Sequence, residues 1–173
     1  VRREPRGSRA MVEVAHAIQV GAFAYLGRQV RTMIWFVLAI AALLFAMYAN
    51  VYSEMVFVAG MVAAFVIGVA ASYGAGYLGM WLAVRGNVRC AHAALTSAKR
   101  AMEIAFRAGA VSGMFTVGFG LIGATLIFMI FRENAFKVLI GFGFGGSLAA
   151  LFMRVGGGIF TKAADVGGDM VGK

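Results

Sequence analysis

Residues 138–173, VLIGFGFGGSLAALFMRVGGGIFTKAADVGGDMVGK, decide the fold, because an apolar run in them passes directly into a charged segment. The run 138–160 holds one charged residue, Arg154. It is long enough to cross a bilayer, which takes about 20 apolar residues in a helix. Residues 161–173 then hold two lysines and two aspartates. We therefore predict a membrane-spanning helix that continues into a charged extension outside the membrane.

The four charged residues of this extension share one face if the helix continues. At about 100° per residue, their directions fall within roughly 80° of one another. Two aspartates four residues apart repel each other, and a divalent cation removes that repulsion. Mg²⁺ is typically held by one or two carboxylates with water and phosphate oxygens, and lysines add positive charge for the same phosphates. This stripe predicts Lys162 and Lys173 as phosphate-binding residues and Asp165 and Asp169 as metal ligands.

Two plainer explanations stay open for these charges. A solvated helix end, with Asp169 and Lys173 as a favourable i,i+4 pair, has the same spacing. Arg154 lies on the same side as the stripe, about 12 Å deeper along the helix axis. An arginine inside a bilayer is costly and normally faces a polar cavity or a counter-charge, although one near a helix end can extend to the interface. No acid in the predicted spans could pair with it.

The composition predicts an all-α, polytopic transmembrane helix bundle. Hydrophobic residues make up 62% of the 173 residues and the mean hydropathy is +0.87. Three uncharged runs besides 138–160 are long enough to span, and glycines spread through the runs favour close packing of helices. We predict four spans with cytosolic helix extensions. The three further runs are 33–52, 55–84 and 108–131.

The basic residues behind the net charge of +9 cluster in a few segments, and this clustering indicates which side of the membrane each segment occupies. Residues 1–32 hold six arginines and residues 85–107 hold five basic residues. The positive-inside rule makes both segments cytoplasmic. We predict a cytoplasmic basic segment with an amphipathic helix at 1–32, then four transmembrane helices at 33–160 with a cytoplasmic connector at 85–107. Residues 161–173 would begin a cytosolic site. No basic patch with interleaved aromatics indicates nucleic-acid binding.

Residues 154–173 closely resemble a signature of the membrane-bound, ion-translocating inorganic pyrophosphatases, the vacuolar-type proton or sodium pumps. The stretches 17–29, 84–89 and 91–94 agree with the same family. The resemblance implies an all-helical homodimer in which cytosolic helix extensions bind diphosphate and Mg²⁺. It further implies an integral membrane enzyme that couples hydrolysis of inorganic diphosphate to translocation of H⁺ or Na⁺. We expect a prokaryotic inner membrane, with the catalytic side cytoplasmic.

The resemblance also assigns roles to the charged residues of the C-terminal helix. It implies that Lys162 contacts diphosphate, that Asp165 and Asp169 serve its magnesium complex, and that Arg154 lies in the ion pathway. Lys173 matches a further lysine of the signature. The acids that activate water would lie beyond this chain, so it contains no predicted catalytic residue. We expect the chain to be a fragment of a longer protein and to be inactive alone.

Two other functions remain as alternatives. A secondary transporter that binds an anion at a discontinuous helix, without hydrolysis, also has glycine-interrupted spans and an intramembrane arginine. That class leaves Asp165 and Asp169 unexplained. A non-catalytic membrane scaffold subunit is the third possibility, and the tandem of acids and bases on one stripe argues against it.

Overall fold

The computed structural model describes residues 5–172, and the regular structure in this part of the chain is entirely helical. The prediction of an all-α fold is therefore confirmed. A 3₁₀ turn, Arg132–Asn134, joins the third α-helix to the fourth. The four α-helices are α1 (Arg9–Ala49), α2 (Met55–Ala94), α3 (Ala98–Phe131) and α4 (Ala135–Gly172).

The helices are long because little in the sequence interrupts them. The one proline of the chain, Pro5, precedes α1, so no helix interior carries a ring that would remove a backbone hydrogen bond. Helix starts are capped by serine: the Ser8 hydroxyl accepts from the Met11 amide at 3.3 Å, and the Ser97 hydroxyl accepts from the Arg100 amide at 3.4 Å. The predicted boundary between the cytoplasmic segment, 1–32, and the first span, which begins at residue 33, falls inside α1, which continues without a break from Arg9 to Ala49.

Three helical segments are long and apolar enough to cross a membrane. They are α1, α2 and the segment Ala98–Gly172, in which α3, the 3₁₀ turn and α4 together count as one stretch of 75 residues. The prediction of four spans does not match this number. It rested on two apolar runs separated by residues 132–137, whereas in the structure α3, the 3₁₀ turn and α4 follow one another with no non-helical residue between them and so count as one segment. A membrane helix bundle fits the structure at the coarser level.

The chain forms two compact units. The first unit holds the described residues up to Arg28 together with Gly74–Gly120, and the second holds Gln29–Tyr73 together with the described residues from Leu121 onward. Each unit therefore contains parts of several helices.

Glycines bring α2 and α4 into backbone contact within the second unit. A Cβ atom added to Gly145 would collide with the carbonyl oxygen of Phe65, and one added to Gly141 would lie 2.7 Å from that of Met61. Phe65 and Ala149 are fully buried there, and the Phe65 and Phe144 rings are 5.7 Å apart. The prediction that glycines allow close helix packing is confirmed at these positions, because a side chain would hold the backbones apart.

The end of α3 packs back against the start of α4 in the same unit. Ile127 and Val138 belong to one buried cluster, and the Phe142 ring covers Gly123. Arg132, with a φ of 44°, provides the left-handed residue that reverses the chain between them. These contacts form a helical hairpin.

In the first unit, the end of α2 packs on the start of α3 through small residues. Ala93, Ala101 and Ile104 form a buried cluster with Cys90 against it. The Cys90 thiol donates to the Ala101 carbonyl oxygen at 3.3 Å, as expected for a structural cysteine rather than a reactive one.

Candidate functional site

The charged stripe lies on the last three turns of α4. This helix continues without a break to Gly172, so the helical premise behind the stripe holds as far as the structure describes the chain. Lys162, Asp165 and Asp169 are all exposed on it. The other predicted member, Lys173, lies outside the described residues. What these residues bind stays a prediction from the sequence.

The lysine of the stripe contacts one of its aspartates. Lys162 Nζ lies 3.5 Å from Asp165 Oδ2, with the two side chains 83% and 57% exposed. A surface pair of this kind contributes only about 0–1 kcal/mol, because water and salt screen it. The pair therefore does little to hold the helix, and both groups are available to a ligand.

The residues present suit magnesium only as part of a larger site. Asp165 and Asp169 lie about 6 Å apart along the helix axis, and no group of three or more His, Cys, Asp or Glu residues occurs within 5–172. Two carboxylates on one helix cannot enclose a cation. They do fit Mg²⁺ in the way it is usually held, with phosphate oxygens and water completing the shell.

Arg154 lies two residues after Phe152, where a hydrogen bond and a ring contact attach α4 to α1. The side-chain amide of Gln29 donates to the Phe152 carbonyl oxygen at 2.7 Å, and the Phe36 and Phe152 rings are 5.8 Å apart. Arg154 itself is exposed and has no ion-pair partner among the described residues. Sequence analysis did not give Gln29 a role. Gln29 lies between Arg28 and Arg31 just before the apolar part of α1, so no local pattern set it apart.

Beyond this anchor the surroundings of α4 are open. Added Cβ atoms at Gly157, Gly158, Gly167 and Gly168 would meet no described atom within 4 Å. Apolar side chains of this part of α4 are exposed as well, with Val171 89% exposed. The described part of the chain thus presents the stripe on a single helix, and any further group that completes the site comes from elsewhere.

A protein-family model described as inorganic H⁺ pyrophosphatase matches residues 1–173, the full chain. A K⁺-insensitive pyrophosphate-energized proton pump of Streptomyces avermitilis is 50% identical over 181 residues, covering 96% of this chain and 22% of that protein. A pump of the same name from Methanosarcina mazei is 42% identical over 171 residues, covering 99% of this chain and 24% of that protein.

A plant protein also matches. The pyrophosphate-energized membrane proton pump 3 of Arabidopsis thaliana is 39% identical over 191 residues, covering 96% of this chain and 24% of that protein. The chain therefore spans about a quarter of the length of these curated relatives. The similarity extends over nearly the whole chain, well beyond the signature at 154–173. This chain, an integral membrane protein of long apolar helices, belongs to the inorganic H⁺ pyrophosphatase family.

Proposed function

We propose that this chain is part of a pump that couples hydrolysis of inorganic diphosphate to translocation of H⁺ across a membrane. The exposed stripe on the α4 extension carries the proposal, because acids and bases lie together there on a helix that continues from an apolar span. The names of the relatives from Streptomyces avermitilis and Methanosarcina mazei agree with it. The chain would act within a longer protein that supplies the water-activating acids.

Each charged residue of the stripe has a proposed role. Lys162 binds the diphosphate as a compact positive charge that is free to turn toward any of its oxygens. Asp165 and Asp169 hold Mg²⁺, and Lys173 provides a second phosphate contact. The bound cation would neutralise substrate charge and polarise the phosphoryl oxygens. The 3.5 Å contact between Lys162 and Asp165 supports this arrangement, since it keeps the ammonium beside a carboxylate that would share the substrate.

Coupling of the two activities is proposed to run along α4. Arg154 and the stripe lie on the same side of one continuous helix, about 12 Å apart along its axis. A shift of the helix on hydrolysis would move Arg154 within the ion pathway. The hydrogen bond from Gln29 to the Phe152 carbonyl oxygen supports a role for α1 in this coupling, because it attaches α4 to α1 two residues before Arg154.

We further propose that the segment Ala98–Gly172 crosses the membrane twice, which gives four spans in all. The hairpin contacts between Ile127 and Val138 support two passes, and a straight 75-residue helix would be about 110 Å long, far beyond the roughly 30 Å hydrocarbon core. Single cysteines, introduced after Cys90 and any other native cysteine have been replaced by serine, test this. Ser97→Cys and Glu133→Cys should react with impermeant maleimide from opposite sides. Labelling of both from the same side would refute four spans.

The site is proposed to face the cytoplasm of a prokaryotic cell, in its inner membrane, within a homodimer of the full-length protein. The arginines of 1–32 and the basic connector support this orientation through the positive-inside rule. The homodimer rests on the family resemblance alone.

The proposal is tested with the full-length protein in sealed vesicles. Addition of diphosphate and Mg²⁺ should release phosphate and generate a proton gradient, and omission of Mg²⁺ should abolish both. An anion transporter would instead take up labelled anion down its gradient without releasing phosphate. Phosphate release with no proton gradient, even after the membrane potential is dissipated, would contradict the pump.

A further inference from the structure

A basic pocket lies between the start of α1 and the end of α2 in the first unit. Three arginines line it, Arg6, Arg85 and Arg89, together with His16 and Gln19. Its volume is about 70 Å³. A single water needs roughly 10–15 Å³ on the same measure, so the pocket has room for a compact polyatomic group.

The Arg85 side chain is held in place, but one of its hydrogen-bond donors has no described acceptor. Its guanidinium lies over the Trp81 ring, 4.0 Å from the ring centre. Its backbone carbonyl oxygen accepts a hydrogen bond from the Arg89 guanidinium. One terminal nitrogen, Nη1, is buried and has no hydrogen-bond partner among the described residues. A buried donor without a partner is costly, so this nitrogen requires an acceptor that the described chain does not supply.

The charge of the pocket calls for an anion. No carboxylate is among the described residues that line it, and Arg6, Arg85 and His16 all face it. Guanidinium groups match phosphate oxygens with paired, charge-assisted hydrogen bonds, and a basic pocket between transmembrane helices is a common site for a phosphate headgroup.

We propose that this pocket binds a phosphate group, either that of an anionic lipid or the free ion. It lies on helix ends that the positive-inside rule assigns to the cytoplasm, where anionic lipids accumulate. Trp81, beneath Arg85, is a residue type enriched at the membrane interface. The site differs from the stripe in its helices and in its chemistry, because arginine and histidine rather than lysine and aspartate line it. It does not depend on diphosphate hydrolysis.

The test uses the delipidated full-length protein and native mass spectrometry. Phosphatidylglycerol and phosphatidylcholine are titrated separately, and inorganic phosphate is titrated in a third arm. Arg85→Gln removes the guanidinium that carries the orphaned nitrogen, and Arg6→Gln removes a positive charge at an exposed position, where we expect little effect on folding. Arg107→Gln is the matched control, an exposed arginine of the same unit outside the pocket.

We expect Arg85→Gln to weaken phosphatidylglycerol binding about tenfold or more, Arg6→Gln to weaken it less, and Arg107→Gln to leave it unchanged. Loss confined to inorganic phosphate would identify the free ion as the source and support the site. Equal binding of every ligand by Arg85→Gln, Arg6→Gln and the wild type would overturn the proposal. If Arg85→Gln does not fold, Arg6→Gln alone decides between these results. A carboxylate from elsewhere in the protein that occupies the pocket would also produce equal binding, and so would overturn it.

Discussion

The two halves of α4 use the same residue type in opposite surroundings. In residues 135–156, Gly141 and Gly145 lie against backbone atoms of α2, where no side chain fits. In residues 157–172, Gly167 and Gly168 have no described neighbour within 4 Å. Glycine content alone therefore does not tell a packing surface from an open one.

The charges of the two halves differ in the same way. The first half holds Lys137, whose ammonium lies 5.5 Å from the Tyr52 ring centre within the unit. The second half holds the stripe, and among its described charges the one ion pair joins Lys162 to Asp165. The neighbours of the glycines and of Lys137 in the first half thus belong to this chain, whereas the second half has exposed charges and open glycines without described neighbours.

The largest effect is expected at Gly145. Gly145→Ala in the full-length protein should lower the free energy of unfolding by about 3 kcal/mol or more, because the new methyl group meets the backbone of Phe65 rather than a side chain that could move. Thermal unfolding in detergent measures this. Gly143→Ala is the matched control, since nothing lies within 4 Å of it, and should change stability by no more than about 1 kcal/mol. Equal melting temperatures for the two variants would contradict the packing difference.

The next effect concerns Arg154, near the end of the first half. Arg154→Ala should reduce proton uptake by vesicles at least about tenfold, with a smaller loss of phosphate release, because an intramembrane arginine normally serves a polar pathway. Both rates are measured on the same vesicles, with Arg107→Ala as control. Normal hydrolysis together with normal pumping would remove Arg154 from the mechanism.

A smaller effect is expected for the proposed metal ligands. Asp169→Asn should raise the Mg²⁺ concentration for half-maximal hydrolysis about tenfold, equivalent to about 1.4 kcal/mol, because the amide loses the charge that holds the cation. Glu103→Gln removes an equally exposed carboxylate from α3 and should leave the Mg²⁺ requirement unchanged. The same Mg²⁺ requirement for Asp169→Asn and the wild type would reject Asp169 as a ligand.

The smallest effect is on stability in the open half. Asp165→Asn breaks the contact with Lys162 and should alter the free energy of unfolding by less than about 1 kcal/mol, because both side chains are mostly exposed. Thermal unfolding without substrate or Mg²⁺ measures the contribution of this contact to stability apart from any effect of ligand binding. A loss as large as that of Gly145→Ala would mean that the stripe packs against another part of the protein.

The sequence predicted the helices well because their signal is strong. Long apolar runs with no interior proline have one stable form in a membrane, where every backbone group must find its partner within the helix. The stripe was predictable for a related reason, since helical periodicity sets the directions of Lys162, Asp165 and Asp169. The number of spans was harder to predict. The turn at 132–137 is itself helical, so α3 and α4 follow each other with no non-helical residue between them.

Other features depend on partners that no local pattern identifies. The contact of Gly145 with Phe65 and the hydrogen bond from Gln29 to Phe152 join residues that are far apart in the chain. Gly143 and Gly145 look alike in the sequence, but only one of them faces α2. Arg85 likewise stands out only once α1 and α2 are seen to enclose it with Arg6.

The central claim is that the open half of α4 binds diphosphate, and hydrolysis by a lysine variant tests it most directly. Lys162→Ala is compared with Lys99→Ala, an equally exposed lysine on α3, in the full-length protein with Mg²⁺. We predict that Lys162→Ala loses at least about 99% of the phosphate release, which is a hundredfold or about 2.7 kcal/mol, while its melting temperature stays that of the wild type. Lys99→Ala should retain normal activity. Equal hydrolysis by the two variants would contradict the claim.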